Sequence, residues 1–75
     1  MLGEELRKAR EQAKMTQERL AFAANIDRSY ISLLENDRKS PTVDLLFRLC
    51  DALGVAPSDL LARVEKDRKP KARKK

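Results

Sequence analysis

The side chains best suited to chemistry lie between positions 28 and 33, where an arginine and two serines share one short segment. If Ile31 and Leu34 share the buried face of a helix, four other positions of the segment face outward. These outward positions are Arg28, Ser29, Ser32 and Leu33. An arginine can donate two hydrogen bonds to one guanine, and a serine can bond to several bases. The segment therefore indicates contact with the edges of DNA bases.

Enzymatic chemistry has little support in the same sequence. The chain has no histidine and no glycine-rich phosphate loop, and its single cysteine, Cys50, falls on the apolar face of a predicted helix. Nucleophilic catalysis needs a nucleophile with a base beside it, and a zinc site of the usual kind needs several cysteines or histidines. We predict that the chain is not an enzyme, binds no cofactor and no metal, and uses Cys50 as a small core residue.

The residues that start and stop helices divide the chain into five helical segments. Thr16, Asp27 and Thr42 stand where N-caps belong, before the second, third and fourth helices. Asn25 and Gly54 follow the second and fourth helices and tolerate a left-handed backbone. Since no segment alternates with the period of a strand, the predicted fold class is all-α, a compact five-helix bundle with a helix-turn-helix over residues 17–36.

Apolar spacing predicts the interior of this bundle. In the helix-turn-helix the buried positions are Leu20, Ala21, Ala24, Ile26, Ile31 and Leu34. In the fourth helix they are Val43, Leu46, Leu49, Cys50 and Leu53. The ring of Tyr30 is expected to rest on Phe22, a scaffold residue, with its hydroxyl free to reach a phosphate.

Charge is distributed unevenly along the chain. The net charge is +5, but residues 66–75 hold seven Lys or Arg against one Asp, which gives 7 − 1 = +6. Residues 1–65 then carry 10 − 11 = −1, so a basic surface on the folded part must be local. We predict a domain over residues 1–65 and a basic, disordered tail over 66–75. The tail is either a solubilising end or a non-specific clamp on polyanions.

The distribution of apolar residues also bears on location. Charges begin at Glu4, and the uncharged apolar stretches are too short to cross a bilayer. We therefore expect no membrane association and a cytoplasmic protein, found with the nucleoid when it is bound to DNA.

Four runs in the sequence resemble one family of regulators. They are Met-Thr-Gln-Glu-Arg-Leu-Ala at 15–21, Asn-Ile-Asp-Arg-Ser-Tyr-Ile-Ser-Leu-Leu-Glu-Asn at 25–36, Ser-Pro-Thr at 40–42 and Ala-Leu-Gly-Val at 52–55. Together they closely resemble the Xre/Cro-repressor family of bacterial and phage regulators, which has a lambda-repressor-like fold. The match extends from about Leu2 to Leu61.

This resemblance implies roles for particular residues. Arg28, Ser29, Ser32 and Leu33 match base-reading positions, although Leu33 replaces the long polar side chain often found there. Gln17 matches a phosphate-gripping position at the start of the second helix. Arg38, Lys39 and Ser40 match positions near the DNA backbone. Arg10 and Glu35 match a structural ion pair. Asn25 and Asp37 replace glycines that are common in the family, and both tolerate left-handed geometry.

Two functions remain open at this point. The first is a transcriptional regulator, a repressor or autoregulator, that binds a near-palindromic operator in double-stranded DNA as a homodimer. Its dimer surface would include Leu45 and Phe47 of the fourth helix and Leu60 and Val64 of the fifth. The second is an antitoxin-like protein or adaptor, whose main partner is another protein.

Overall fold

Short turns join five helices in the part of the chain that the computed structural model describes, residues 1–67. The helices are α1 (Leu2–Gln12), α2 (Gln17–Ala24), α3 (Arg28–Glu35), α4 (Val43–Leu53) and α5 (Pro57–Asp67). Helix α5 extends two residues beyond the predicted domain boundary, so that Lys66 and Asp67 are helical and not part of a disordered tail. The remainder of the predicted tail lies outside the described residues.

Local side-chain chemistry sets most of the helix ends. Thr16 and Thr42 accept hydrogen bonds from the N–H groups of Arg19 and Leu45, at 3.0 and 3.1 Å, as N-caps do. Asp27 occupies the N-cap position of α3, but its carboxylate makes no capping hydrogen bond.

Three residues at or just after helix ends have the left-handed backbone that the sequence indicates. Asn25 ends α2 at φ 61°, Asp37 follows α3 at φ 57°, and Gly54 ends α4 at φ 75°. A short polar side chain or a glycine adopts this conformation at low cost. Lys14, between α1 and α2, also has a positive φ of 60°, which the sequence did not indicate.

The core forms where α1, α2, α3, α4 and α5 meet. The largest fully buried side chains are Leu6, Leu20, Ile31, Leu34, Leu49, Cys50 and Leu60. Helix α3 packs against α1 and α2, α2 packs against α4, and α5 packs against α1 and α4. Helix α3 is therefore supported by two neighbouring helices.

One prediction for the interior of α4 was wrong. Val43 is 69% exposed, while Leu45 is buried in its place. Both residues flank the centre of the buried face, and Val43 is the first residue of α4. The helices packed against α4 cover the flank that carries Leu45 and leave the flank that carries Val43 exposed.

Two long-range contacts hold the end of α2 and the residue that follows the C-cap of α3. Gly3 donates its N–H to the Asp37 carboxylate at 2.9 Å, which caps α1, since Met1 at the N-cap makes no side-chain cap. Arg48 on α4 donates to the carbonyls of Ala24 and Asn25, at 2.8 and 3.1 Å, at the end of α2. Both contacts satisfy groups that a helix terminus leaves without a partner.

Within residues 1–67, no helix is both long enough and apolar enough to cross a membrane.

Candidate nucleic-acid interface

A tight turn connects α2 to α3 and sets the angle between them. Asn25 takes the left-handed conformation, and the Ile26 N–H donates to the Ala21 carbonyl at 2.9 Å. The small side chains of Ala21 and Ala24 are buried in this part of the core, where they allow the two helices to approach closely. This is the helix-turn-helix arrangement that the sequence predicts.

The predicted base-reading residues share the outer side of α3. Arg28, Ser29 and Leu33 are exposed and Ser32 is half-buried, whereas Ile31 and Leu34 between them are buried. Positions 28, 29, 32 and 33 repeat at the helical spacing, so they lie side by side. The structure thus brings these four residues together on one surface.

The two serines are held by residues at the ends of their own helix. Ser29 donates its hydroxyl to the Asp27 carboxylate at 3.4 Å. Asn36, the C-cap of α3, donates its amide to the Ser32 carbonyl at 2.9 Å and to the Ser32 hydroxyl at 3.5 Å. Asp27 and Asn36 were not predicted as site residues. A polar side chain next to a helix end was the signal that could have indicated them.

Arg28 is directed towards α2. Its Nη1 donates to the Gln17 amide oxygen at 3.3 Å. Among residues 1–67, no ion pair joins Arg28 to a carboxylate, although Asp27 precedes it. The guanidinium charge is therefore not neutralised by a direct partner.

A buried ion pair lies behind Gln17. Arg10 Nε lies 2.6 Å from Glu35 Oε2 and Arg10 Nη2 lies 3.1 Å from Glu35 Oε1, so the expected pair is present and bidentate. Gln17 donates its amide to the same Oε1 at 3.0 Å. The side chains of Arg10 and Glu35 are only 12% and 4% exposed.

The surroundings of Arg10 favour its charged form. The hydrogen bond to Glu35 raises the pKa of the guanidinium above its ordinary value, against an opposing effect of desolvation. Arg10 Nη1 also donates to the Met15 carbonyl at 2.9 Å, which ties α1 to the segment before α2. The pair therefore joins α1, α2 and α3.

The predicted backbone-contacting loop leaves the end of α3 through the left-handed residue Asp37. The Arg38 N–H donates to the Leu33 carbonyl at 2.8 Å, and the side chains of Arg38, Lys39 and Ser40 are exposed. Because Asp37 also binds Gly3, the start of the loop is fixed to α1. This role of Asp37 was not predicted from the sequence, since its partner lies 34 residues away.

The prediction for Phe22 was wrong. Its ring is 87% exposed, so it cannot be a scaffold residue on which Tyr30 rests. Tyr30 is instead half-buried against the hydrophobic core. Phe22 lies on the face of α2 opposite the buried Leu20, Ala21 and Ala24, so its ring faces away from the core.

Two of the four residues predicted for a dimer surface are unsuitable for one. Leu60 is 1% exposed and Leu45 is also buried, so both belong to the core of a single chain. Phe47 is exposed and Val64 is half-buried. The structure adds Val43 and Leu61 as exposed apolar residues on the same two helices.

The fold and this surface together define a helix-turn-helix DNA-binding protein. Residues 6–60 match the family model HTH_3, described as helix-turn-helix, and the chain belongs to this family. This confirms the resemblance found in the sequence. The chain is accordingly a DNA-binding transcriptional regulator and not an enzyme.

Individual relatives agree with this assignment. The chain is 37% identical over 62 residues to the control protein C.BamHI of Bacillus amyloliquefaciens, covering 81% of this chain and 76% of that protein. It is 35% identical over 60 residues to the immunity repressor protein of Bacillus phage phi105, covering 80% of this chain and 42% of the repressor. The crystal structure of the clp gene regulator ClgR from C. glutamicum superposes with a TM-score of 0.87 at 33% identity, covering 93% of this chain and 91% of that one.

Proposed function

We propose that this regulator binds a near-palindromic operator as a homodimer, places α3 in the major groove and represses transcription, its own gene included. The observation that carries the proposal is the outer surface of α3, which α1 and α2 hold from behind. It consists of the exposed Arg28, Ser29 and Leu33 and the half-buried Ser32. A helix supported in this way presents its N-terminal residues to base edges. A chain bound to its operator would reside with the nucleoid.

The backbone contacts in this proposal lie on either side of α3. Gln17 uses one amide hydrogen on Glu35 and keeps the second for a phosphate. The half-buried Tyr30 and the exposed residues Arg38, Lys39 and Ser40 complete the set. Such contacts position the protein on the duplex but carry no direct sequence information.

The proposed dimer surface consists of Val43 and Phe47 on α4 and Leu61 and Val64 on α5. The first two are four residues apart and the last two are three apart, so each pair shares one face of its helix. Helices α4 and α5 pack against each other. Burying exposed apolar side chains drives most protein association, and two copies related by a two-fold axis would present the same surface to each other.

Selection from a randomised duplex pool tests the DNA-binding part of the proposal. We expect the chain to enrich a short motif with two-fold symmetry, with half-sites about 34–36 Å apart, one turn of the double helix. Arg28→Ala should relax one position in each half-site. Arg63→Ala, which removes an exposed arginine from α5, is the matched control and should leave the motif unchanged. A pool that yields no motif would overturn the proposal.

Sedimentation measurements test the dimer. Phe47→Asp should shift the chain to the monomer and weaken operator binding without loss of helicity, because it places a charge in an apolar interface. Phe22→Asp makes the same change at an exposed ring on α2 and should leave the dimer intact. If both variants sediment as the wild type does, Phe47 is not at the interface.

One observation favours a second function, in which the chain binds another protein. Phe22 is 87% exposed, and aromatic rings are common anchors of protein interfaces. A partner that co-purifies with the wild type from its native host and is lost with Phe22→Ser would support this adaptor or antitoxin-like role. Equal recovery of the partner with the wild type and with Phe22→Ser would argue against this role.

A further inference from the structure

Hydrogen bonds divide the helices of this domain into two groups. Arg10 on α1 pairs with Glu35 on α3, and Gln17 on α2 donates to the same carboxylate, which joins the first three helices. Within residues 1–67, Arg48 on α4 makes the only hydrogen bonds that join α4 or α5 to those three helices. The two groups otherwise share the apolar core.

Arg48 also lies between the proposed dimer surface and the proposed DNA surface. Phe47, the preceding residue on α4, belongs to the former, and Asn25, whose carbonyl Arg48 binds, lies in the turn that leads to α3. We propose that Arg48 determines which half-site spacing the dimer accepts, because it fixes the α2–α3 turn relative to α4 and thereby the separation of the two copies of α3. This inference rests on the proposed function above, since it requires a dimer formed through α4 and α5.

The contacts of Arg48 are suited to fixing a position. Its Nη2 donates to the Ala24 carbonyl at 2.8 Å and to the Asn25 carbonyl at 3.1 Å. Carbonyls at the end of a helix lack partners within it, and the helix dipole favours a cation there. Hydrogen bonds from a charged donor are strong and depend on direction, whereas apolar contacts are non-directional. The guanidinium therefore defines where the end of α2 lies with respect to α4.

The turn itself is held by hydrogen bonds that do not involve Arg48. The Asn25 N–H donates to the Phe22 carbonyl at 3.2 Å, and the Ile26 N–H donates to the Ala21 carbonyl at 2.9 Å. Loss of Arg48 should therefore leave the angle between α2 and α3 and the outer surface of α3 unchanged. It should relax only the position of these two helices relative to α4.

Half-site spacing is sensitive to that relative position. A two-fold dimer reads half-sites whose centres lie about 34–36 Å apart, one turn of the duplex. One additional base pair moves a half-site by about 3.4 Å and rotates it by about 35° around the duplex axis. A dimer can follow this change only if α3 moves relative to α4. Arg48 opposes such movement once in each protomer.

Titration of duplexes with altered half-site spacing tests this proposal. The motif is first obtained by selection, and duplexes with one base pair more or fewer between the half-sites are then compared. Joining two binding sites raises affinity by about 10²- to 10⁴-fold, so the wild type should bind the altered spacings about 100-fold more weakly than the selected one. Arg48→Met should reduce this ratio about tenfold, the effect of one hydrogen bond to a charged group. Arg63→Met, at an exposed arginine of α5, is the matched control and should keep the wild-type ratio.

The same substitution in a monomeric background shows whether Arg48 acts through the dimer. Phe47→Asp with Arg48→Met and Phe47→Asp with Arg63→Met lose the same charge and should bind a single half-site with equal affinity. Weaker binding by the first double variant would overturn the proposal, because Arg48 would then act within one chain. In the dimer, loss of affinity by the same factor at every spacing would also overturn it and leave only a general attraction of Arg48 to DNA.

Distances between the two copies of α3 can be measured without DNA. Spin labels attached to Ser29→Cys, in a Cys50→Ala background, mark α3 in each protomer. The protein with Arg48 should give a narrow distribution of distances between the labels, and addition of Arg48→Met should broaden it. Distributions of equal width would overturn the proposal even if the variant bound DNA too weakly for titration.

Sedimentation separates this inference from the proposed function on which it rests. Arg48→Met should sediment as a dimer, and a monomeric variant would overturn the inference by assigning Arg48 to the interface itself. A wild type that sediments as a monomer, or that enriches no motif, would instead overturn the proposed function and the role of Arg48 with it.

Discussion

Replacing Glu35 by glutamine tests the energetic role of the buried ion pair. Three donors converge on this carboxylate: Arg10 Nε, Arg10 Nη2 and the Gln17 amide. A carboxamide offers one oxygen and places its own N–H groups where the second oxygen accepted hydrogen bonds. It also leaves the charge of Arg10, whose side chain is 12% exposed, without a counter-charge.

The expected cost follows from this burial. Breaking a buried pair by removing one partner costs about 3–5 kcal/mol, because the other charge remains buried and unpaired. An exposed pair contributes about 0–1 kcal/mol. Glu4→Gln is the matched control, since the Glu4 side chain is 52% exposed and its Oε2 lies 3.8 Å from the Nζ of Lys8, whose side chain is 49% exposed.

Urea denaturation followed by circular dichroism measures the free energies of unfolding. We expect Glu35→Gln to lose about 3–5 kcal/mol and Glu4→Gln less than about 1 kcal/mol. A loss of the larger size approaches the whole stability of a small domain. The double variant Arg10→Met with Glu35→Leu therefore completes the test. It should recover part of the loss, because no buried charge remains although the Met15 carbonyl and the Gln17 amide lose their partners. Equal small losses in Glu35→Gln and Glu4→Gln would refute the reasoning.

Three further predictions concern other parts of the chain. Gly3→Ala should lower the free energy of unfolding by about 1–3 kcal/mol, since its Cβ would lie 2.5 Å from the Glu35 carbonyl oxygen; an unchanged melting temperature would contradict this. Burial raises the pKa of the Cys50 thiol, with a smaller effect from Asp51. The free energy of unfolding of the wild type should therefore fall relative to that of Cys50→Ala as the pH rises above the ordinary thiol pKa of about 8.5. Parallel pH profiles of the two proteins would exclude the effect. Ending the chain at Asp67 removes six Lys and Arg residues. If these contact phosphates, the slope of log K against log salt concentration for DNA binding should become shallower by up to about 0.9 per lost contact. Identical slopes for the two chains would assign the tail no such role.

Elements defined by local chemistry were predictable from the sequence. Thr16 and Thr42 cap their helices, and Asn25 and Gly54 take left-handed conformations, because each of these preferences depends on the residue and its immediate neighbours. The positions that face outward on α3 could be predicted from the helical period alone. The pairing of Arg10 with Glu35 was also expected, although only from the family resemblance and not from the spacing.

Features that depend on the arrangement of whole helices were not predictable in this way. Helical spacing places Val43 and Leu45 on opposite flanks of the buried face, and only the packing of α4 against its neighbours decides which flank is covered. Aromatic character suggested burial for Phe22, but its ring is exposed because it lies on the outer face of α2. The contact of Gly3 with Asp37 joins residues far apart in sequence, although a glycine in the first turn of a helix was a signal of close approach.

The hydrogen bonds of the two α3 serines have a consequence for how such proteins diversify. Within residues 1–67, the Ser29 side chain bonds only to Asp27 and the Ser32 side chain only to Asn36, so both serines depend on residues at the ends of their own helix. If α3 lies in the major groove as proposed, substitutions at these positions would change the groups presented to DNA without removing a side-chain hydrogen bond to another helix. Under that proposal, evolution or directed selection in the laboratory could explore new operator sequences at positions 29 and 32 with little loss of folding, which would allow closely related regulatory circuits to become insulated from one another.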